Sequence, residues 1–248
     1  MKKFWTQAAL GIAAFVCAGS ASAVVIDFEN VDTTNAPFAP LMADGDFVTQ
    51  GGYFVNTQDA NQGGGLIGQL SLGSDPGSCL NGVCPTGNAT NFLSIYNDGI
   101  AHIGLLSGTK TVFGSLDAAY IATPGNPAGS TVYLAIEADR SDGSFASFYY
   151  VLNGAGSFQT ITSSTVGTRL GGTGTLTSGL VTDLFIYSYF CNASTGSCGA
   201  FKTDLGQFAL DNIAMDVPVA AVPEPAEWAL MMAGLTAVAG FARRRRSA

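Results

Sequence analysis

The stretch TVYLAIEADRSDGSFASFYYVLNGAGSFQTITS, residues 131–163, decides the fold class. Over 131–138, Val132, Leu134 and Ile136 alternate with Tyr133, Ala135 and Glu137. A period of two puts one set on each face of a β-strand, the aliphatic set toward a core. Ser141-Asp142-Gly143-Ser144 then predicts a tight reversal into a second strand over 145–152. Asn-Gly-Ala-Gly-Ser at 153–157 predicts another reversal, into a third strand over 158–163. The expectation is a three-strand antiparallel meander.

The same signature recurs on both sides. Short β-branched and aromatic runs at 24–28, 52–56, 92–96, 111–116, 118–122, 180–190 and 208–216 are separated by glycine, serine, threonine and asparagine. No long stretch has helical periodicity. About ten strands at this spacing predict an all-β, two-sheet sandwich of the jelly-roll kind. The Gly-rich segment 63–91 is expected to be a long surface loop, and 167–179 a second flexible connection.

The ends read differently. Residues 1–23 hold Lys2 and Lys3, a short apolar stretch and Ala21-Ser22-Ala23, the three parts of a secretory signal peptide. The apolar run is short for a membrane span. The chain is therefore expected to meet the secretion translocon and signal peptidase. Residues 24–217 form the expected extracellular domain and 218–225 a linker carrying Pro223-Glu224-Pro225. A single transmembrane helix is expected over 226–242, at the lower edge of a span, followed by a basic cytoplasmic tail, 243–248. Arg243, Arg244, Arg245 and Arg246 would hold that end in the cytoplasm.

Within 24–217 there are four Lys and Arg against sixteen Asp and Glu, a net charge of −12. Such a surface repels nucleic acid and anionic lipid and tolerates divalent cations. Cys17 lies in the signal peptide, leaving Cys79, Cys84, Cys191 and Cys198. An even number in an oxidising compartment favours disulfides, and the spacings favour the local pairs Cys79–Cys84 and Cys191–Cys198. The same spacings are poor for zinc.

Catalytic supply is thin. A Ser-His-Asp or Cys-His site would have to use His102, the one histidine, which sits among apolar residues in GIAHIGLL. A paired-carboxylate glycan hydrolase stays open on composition. However, both tryptophans, Trp5 and Trp228, lie outside 24–217. No catalytic residue is assigned and the chain is expected not to be an enzyme.

Calcium is the better chemical candidate. It takes several oxygen ligands, and Asp27-Phe28-Glu29 opens the domain while Asp211-Asn212 closes it. If the first and last strands are neighbours, Asp27, Glu29, Asp211 and Asn212 are candidate ligands for a structural ion; 42–47 and 137–143 are weaker acidic turns. For glycan contact the platform would be tyrosine: Tyr187 and Tyr189 share one strand face, as do Phe185 and Tyr187, while Tyr149 and Tyr150 lie on another strand. An aromatic stripe in a sandwich is more often core.

Pro223-Glu224-Pro225, the apolar WALMMAGLTAVAGF and the terminal arginines together resemble the PEP-CTERM sorting signal of Gram-negative bacteria. The resemblance covers only the last residues of the chain. It implies recognition and cleavage by an exosortase, export across the inner membrane, and a transient anchor before release or surface attachment. It further implies species that make exopolysaccharide and biofilm. Gln207, Phe208 and Asp211 are similar to the QFxxD motif of some such proteins. The closing Phe-x-x-Asp-Asn-Ile is similar to the last strand of jelly-roll carbohydrate-binding modules, in some of which the Asp ligates calcium; that resemblance implies Asp211 and Glu29 as ligands. The expected role is structural or adhesive within an extracellular matrix, the alternative a carbohydrate-binding module for the cell's exopolysaccharide.

Overall fold

The computed structural model describes residues 23–216, apart from 62, 81, 109, 153–155 and 203–204. The expected signal peptide up to Ser22, and the linker, apolar helix and arginines from residue 217 onward, lie outside the described residues. Among those described, no helix is long and apolar enough to cross a membrane.

Among the described residues there are fifteen strands: β1 (Val24–Ile26), β2 (Leu41–Ala43), β3 (Phe47–Gln50), β4 (Tyr53–Gln58) and β5 (Leu66–Leu72). Next come β6 (Asn91–Ile95), β7 (Ile100–Leu105), β8 (Val112–Tyr120), β9 (Thr131–Arg140) and β10 (Phe145–Val151). The set closes with β11 (Gln159–Thr162), β12 (Thr168–Gly172), β13 (Val181–Cys191), β14 (Cys198–Gly199) and β15 (Phe208–Asp216). One sheet has the order β11-β8-β15-β6-β5-β2, with β1 also on β15; the other runs β12-β10-β9-β13-β7-β4-β3, with β14 on β13. Every strand pair is antiparallel. The described residues form an all-β two-sheet sandwich.

The alternation in 131–138 fixes this arrangement locally. Val132, Leu134 and Ile136 are buried in the core between the sheets, while Tyr133 and Glu137 point outward and stay part-exposed. Leu93, Phe208, Leu210, Ile213 and Met215 meet them from the other sheet. Burying each such side chain contributes roughly 1.5–3 kcal/mol. The turn at 141–144 forms as expected, with Gly143 at φ +80°. A β-carbon is strained there, which is why glycine serves.

The third strand of the meander does not follow the second. β11 crosses to the other sheet and pairs with β8, and the free edge of β10 takes β12 instead. A five-residue connection does not enforce a hairpin as a two-residue turn does. One buried side chain, Ile161, satisfies either sheet. Two expected loops contain strands: Leu66–Leu72 lies within 63–91, and Thr168–Gly172 within 167–179. The segments at 111–116 and 118–122 belong to one strand, β8 (Val112–Tyr120), that stops just short of the second segment's end.

The rest of the Gly-rich segment is a cover. Cys79 and Cys84 are disulfide-bonded and pack with Phe92, Tyr96, Ala119, Ile121 and Ala209, a second apolar cluster on the outward face of the seven-stranded sheet. Gln69 Nε2 donates to Ser78 O, and Tyr96 Oη donates to Gln69 Oε1 at 2.8 Å. That sheet is thus apolar on both faces, which a disulfide-pinned loop can satisfy.

Candidate functional site

The eight-stranded sheet keeps its outward face half-exposed, and there the strand registers assemble aromatic rows. Tyr189 on β13 stands opposite Tyr133 on β9; Tyr187 stands opposite Ala135, which faces Tyr149 on β10. Tyr133 and Tyr149 meet edge to face at 5.2 Å, and Tyr187 lies 5.7 Å from Tyr189 and 5.2 Å from Phe201. Between them opens a cavity of about 220 Å³ lined by Tyr133, Tyr149, Leu170, Tyr189, Cys191 and Cys198. Cys191 and Cys198 are disulfide-bonded and close the β13–β14 hairpin at its rim. Burial, followed by the hydroxyl and charge of Tyr189 and then the charge of Glu137, raises the Tyr187 phenol. It stays a neutral donor.

The loop bearing Phe201 is held from below. Asp98, 2% exposed, accepts from Lys202 N at 2.7 Å and from Gly206 N at 3.1 Å. Ser188 Oγ donates to Gly206 O. A buried carboxylate with backbone donors on both oxygens sets the loop's position.

One step along the strands the face turns acidic. Glu137 stands opposite Ser147 and Phe185, and Asp139 opposite Asp183. Burial and then the charge of Asp139 raise the Glu137 carboxyl; burial and then the charge of Asp183 raise Asp139, against the pull of His102. Ser147, 2% exposed, is near enough to lower Glu137 somewhat, yet its hydroxyl meets no partner at hydrogen-bonding geometry. His102 stacks on Phe185 at 4.5 Å and takes the edge of Phe54 at 5.1 Å. Phe54 in turn lies over Gly104, where a β-carbon would sit 2.7 Å from its ring. Gln58 Nε2 faces His102 Nδ1 at 3.2 Å, and His102 Nε2 donates to Asp183 Oδ1 at 2.8 Å. His102 is therefore packed between rings, as its setting suggested, but on the outer face.

The metal candidates lie on the opposite sheet. β1 pairs with β15, so the first and last strands are neighbours. Asp211 is 0% exposed; its Oδ2 accepts from Asn88 Nδ2 at 2.7 Å and Thr90 Oγ1 at 3.3 Å, and its Oδ1 from Asn212 N at 2.7 Å. Burial pushes its carboxyl up to about 6 against the pull of these donors, and the Asp117 charge adds to the rise. Asn212, at φ +48° in the β15 bulge, donates Nδ2 to Asp117 Oδ2 at 3.0 Å. Asparagine tolerates that left-handed conformation. Glu29 is exposed and accepts from Asn91 N at 2.6 Å, while Asp27 Oδ1 accepts from Gln50 Nε2 at 2.6 Å and Glu29 N at 3.1 Å.

Among the described residues, no three or more of His, Cys, Asp and Glu gather into a group that could hold a metal ion. Both Asp211 oxygens accept from N–H and hydroxyl donors, of Asn88, Thr90 and Asn212. Asp211 and Asn212 are thus brought together, with Glu29 linked through the adjacent Asn91 and Thr90. Asp27 is tied to Gln50 instead.

Tyr187 and Tyr189 are part-exposed and side by side, outside the core. Sequence reasoning missed Tyr133 as a platform residue, although it placed Tyr133 on the non-aliphatic face. It also missed Asp183 and Ser147, whose neighbours come only from strand pairing.

No protein-family model matches the chain, and no curated protein matches it. Among solved structures it is similar to the C-terminal family 22 carbohydrate-binding module of Clostridium thermocellum Xyn10B, at 13% identity and a TM-score of 0.25, over 78% of this chain and 96% of that one. It is similar at 13% identity and a TM-score of 0.25 to a xylan-binding domain of the same module family, over 79% of this chain and 98% of that one. These likenesses assign the chain to no family.

Proposed function

We propose that this chain is an exported, non-enzymatic surface protein that adheres to extracellular polysaccharide through the outward face of its eight-stranded sheet. The observation that carries this is the cavity of about 220 Å³ walled by Tyr133, Tyr149 and Tyr189, with Tyr187 alongside. Tyrosine rings offer a flat apolar face to a sugar ring, and their hydroxyls offer hydrogen bonds at the rim. The opposite sheet's face is occupied by its own disulfide-pinned loop, which leaves this one for a ligand. The strand order, with β1 against β15, supports the jelly-roll description.

In this reading the signal peptide brings the domain across the inner membrane, and exosortase acts at Pro223-Glu224-Pro225. A calcium ion held by Asp211, with Glu29 and neighbouring oxygens, would tie the chain ends together. The sorting reading rests on the sequence pattern alone. Affinity electrophoresis of the full-length chain in gels carrying immobilised polysaccharides is the test. Retardation by at least one polysaccharide is expected, weakened roughly tenfold in Tyr189→Ala and Tyr133→Ala. Retardation unchanged in both variants, or none by any polysaccharide, refutes the assignment.

A further inference from the structure

We infer that the saccharide taken by this face carries amines: the tyrosine zone holds a sugar ring, and the adjoining carboxylates take the ammonium of an amino sugar. The inference rests on the saccharide reading above and names the substrate class for the same surface.

The two zones are contiguous by register. Tyr187 and Phe185 are successive outward residues of β13, and Phe185 stands opposite Glu137. Successive same-face residues are about 7 Å apart along a strand. Glu137 is close enough for its charge to act on the Tyr187 phenol. Along β9 the cavity at Tyr133 is four residues, about 13 Å, from Glu137, and along β13 Tyr189 is six residues, about 20 Å, from Asp183. An oligosaccharide seated on the tyrosines therefore reaches the carboxylates with residues further along its chain.

Among the described residues that acidic row of three carboxylates has one histidine beside it and no lysine or arginine turned to it. The ion pair on this face, among the described residues, is His102–Asp183 at 2.8 Å, and it engages one oxygen of one of the three carboxylates. Arg169, on the neighbouring β12, spends its guanidinium on Gly172 O at 3.2 Å, Gly174 O at 2.6 Å and the face of Phe148 at 4.7 Å. Arg140 is buried and bonded to Ser178 O at 2.7 Å and Thr175 O at 2.8 Å. Like charges directly opposite across a ladder, as in Asp139–Asp183, are destabilising and call for a counter-charge.

A second observation points to a polar ligand at the same place. Ser147, 2% exposed on this face and opposite Glu137, has a hydroxyl with no partner at bonding geometry. Such a group is costly unless something bonds it. An ammonium beside Glu137 would bond the carboxylate through charge-assisted contacts, next to this hydroxyl. A uronate or sulfated saccharide would meet repulsion from all three carboxylates.

The test is calorimetric titration of the full-length chain at pH 6 with hexamers of glucosamine, N-acetylglucosamine and galacturonate. The glucosamine hexamer is expected to bind at least tenfold tighter than its acetylated form, with galacturonate weakest. Added salt, and the variants Glu137→Gln and Asp139→Asn, should narrow the tenfold ratio to about twofold, while Tyr189→Ala weakens both amino-sugar ligands. Equal affinity for glucosamine and N-acetylglucosamine overturns the amine inference and leaves the saccharide reading standing. A preference for galacturonate overturns it as well. Binding of none of the three, with no polysaccharide retarding the chain, removes the saccharide reading itself.

Discussion

Asp211 is a carboxylate built into a place that disfavours its charge, and the consequence for stability has a definite sign. Its carboxyl sits at about 6 in the folded chain, because a fully buried group beside Asp117 loses more to desolvation than Asn88, Asn212 and Thr90 return. In the unfolded chain an aspartate titrates near 4. Between those values the folded state binds more protons than the unfolded, so stability falls as pH rises. Two units correspond to about 3 kcal/mol, lost between about pH 4 and pH 6 and constant above. Asp211→Asn cannot titrate, so the variant should lack this slope while sharing the background from the other carboxylates.

The assay is guanidinium unfolding of both proteins at intervals from pH 4 to 7.5 in chelator, repeated with millimolar calcium at pH 7.5. The wild type should lose about 2 kcal/mol more than the variant across the interval, the rest of the effect lying below about pH 4. Calcium at a hundred times its dissociation constant should return about 2.7 kcal/mol to the wild type and little to Asp211→Asn. Parallel pH profiles would refute the buried-charge argument. Unchanged wild-type stability with calcium would refute the metal.

Replacing Cys79 and Cys84 together by serine should cost about 2 kcal/mol from loop closure and raise amide exchange across 73–90 more than in the core strands; uniform exchange would contradict the loop's role as a pinned cover. Deleting residues 223–248 should change both the compartment and the mature mass of the chain, read by cell fractionation and intact mass spectrometry. Identical fate for the two forms would end the sorting reading.

Much of the sandwich was legible because burial on one side of a strand leaves a period-two trace, as in Val132, Leu134 and Ile136. The local disulfides were legible because short spacings between exported cysteines leave few geometries. What failed was partner choice. The segment 158–163 has the composition of a strand, but nothing in it names β8 over β10. Leu66–Leu72 was hidden in a Gly-rich loop because Gly68 breaks the apolar pattern; there a β-carbon would sit 2.6 Å from Thr57 Cγ2. Of the site, Tyr187 and Tyr189 were visible as neighbours on one strand. Tyr133, Tyr149 and Asp183 joined them only through registers set across three strands.

The sequence by itself determined the class of this protein: an acidic all-β domain with two local disulfides, between ends that read as routing signals. Local alternation, turn chemistry and charge count act within a few residues, so they survive in one dimension. Only the tertiary structure decided which face is covered and which is open. The loop at 73–90 closes over one sheet, whereas the other sheet gathers tyrosines beside carboxylates from distant parts of the chain. Strand pairing is a choice among similar edges settled by the packing of the whole core, so no single segment encodes the surface it creates.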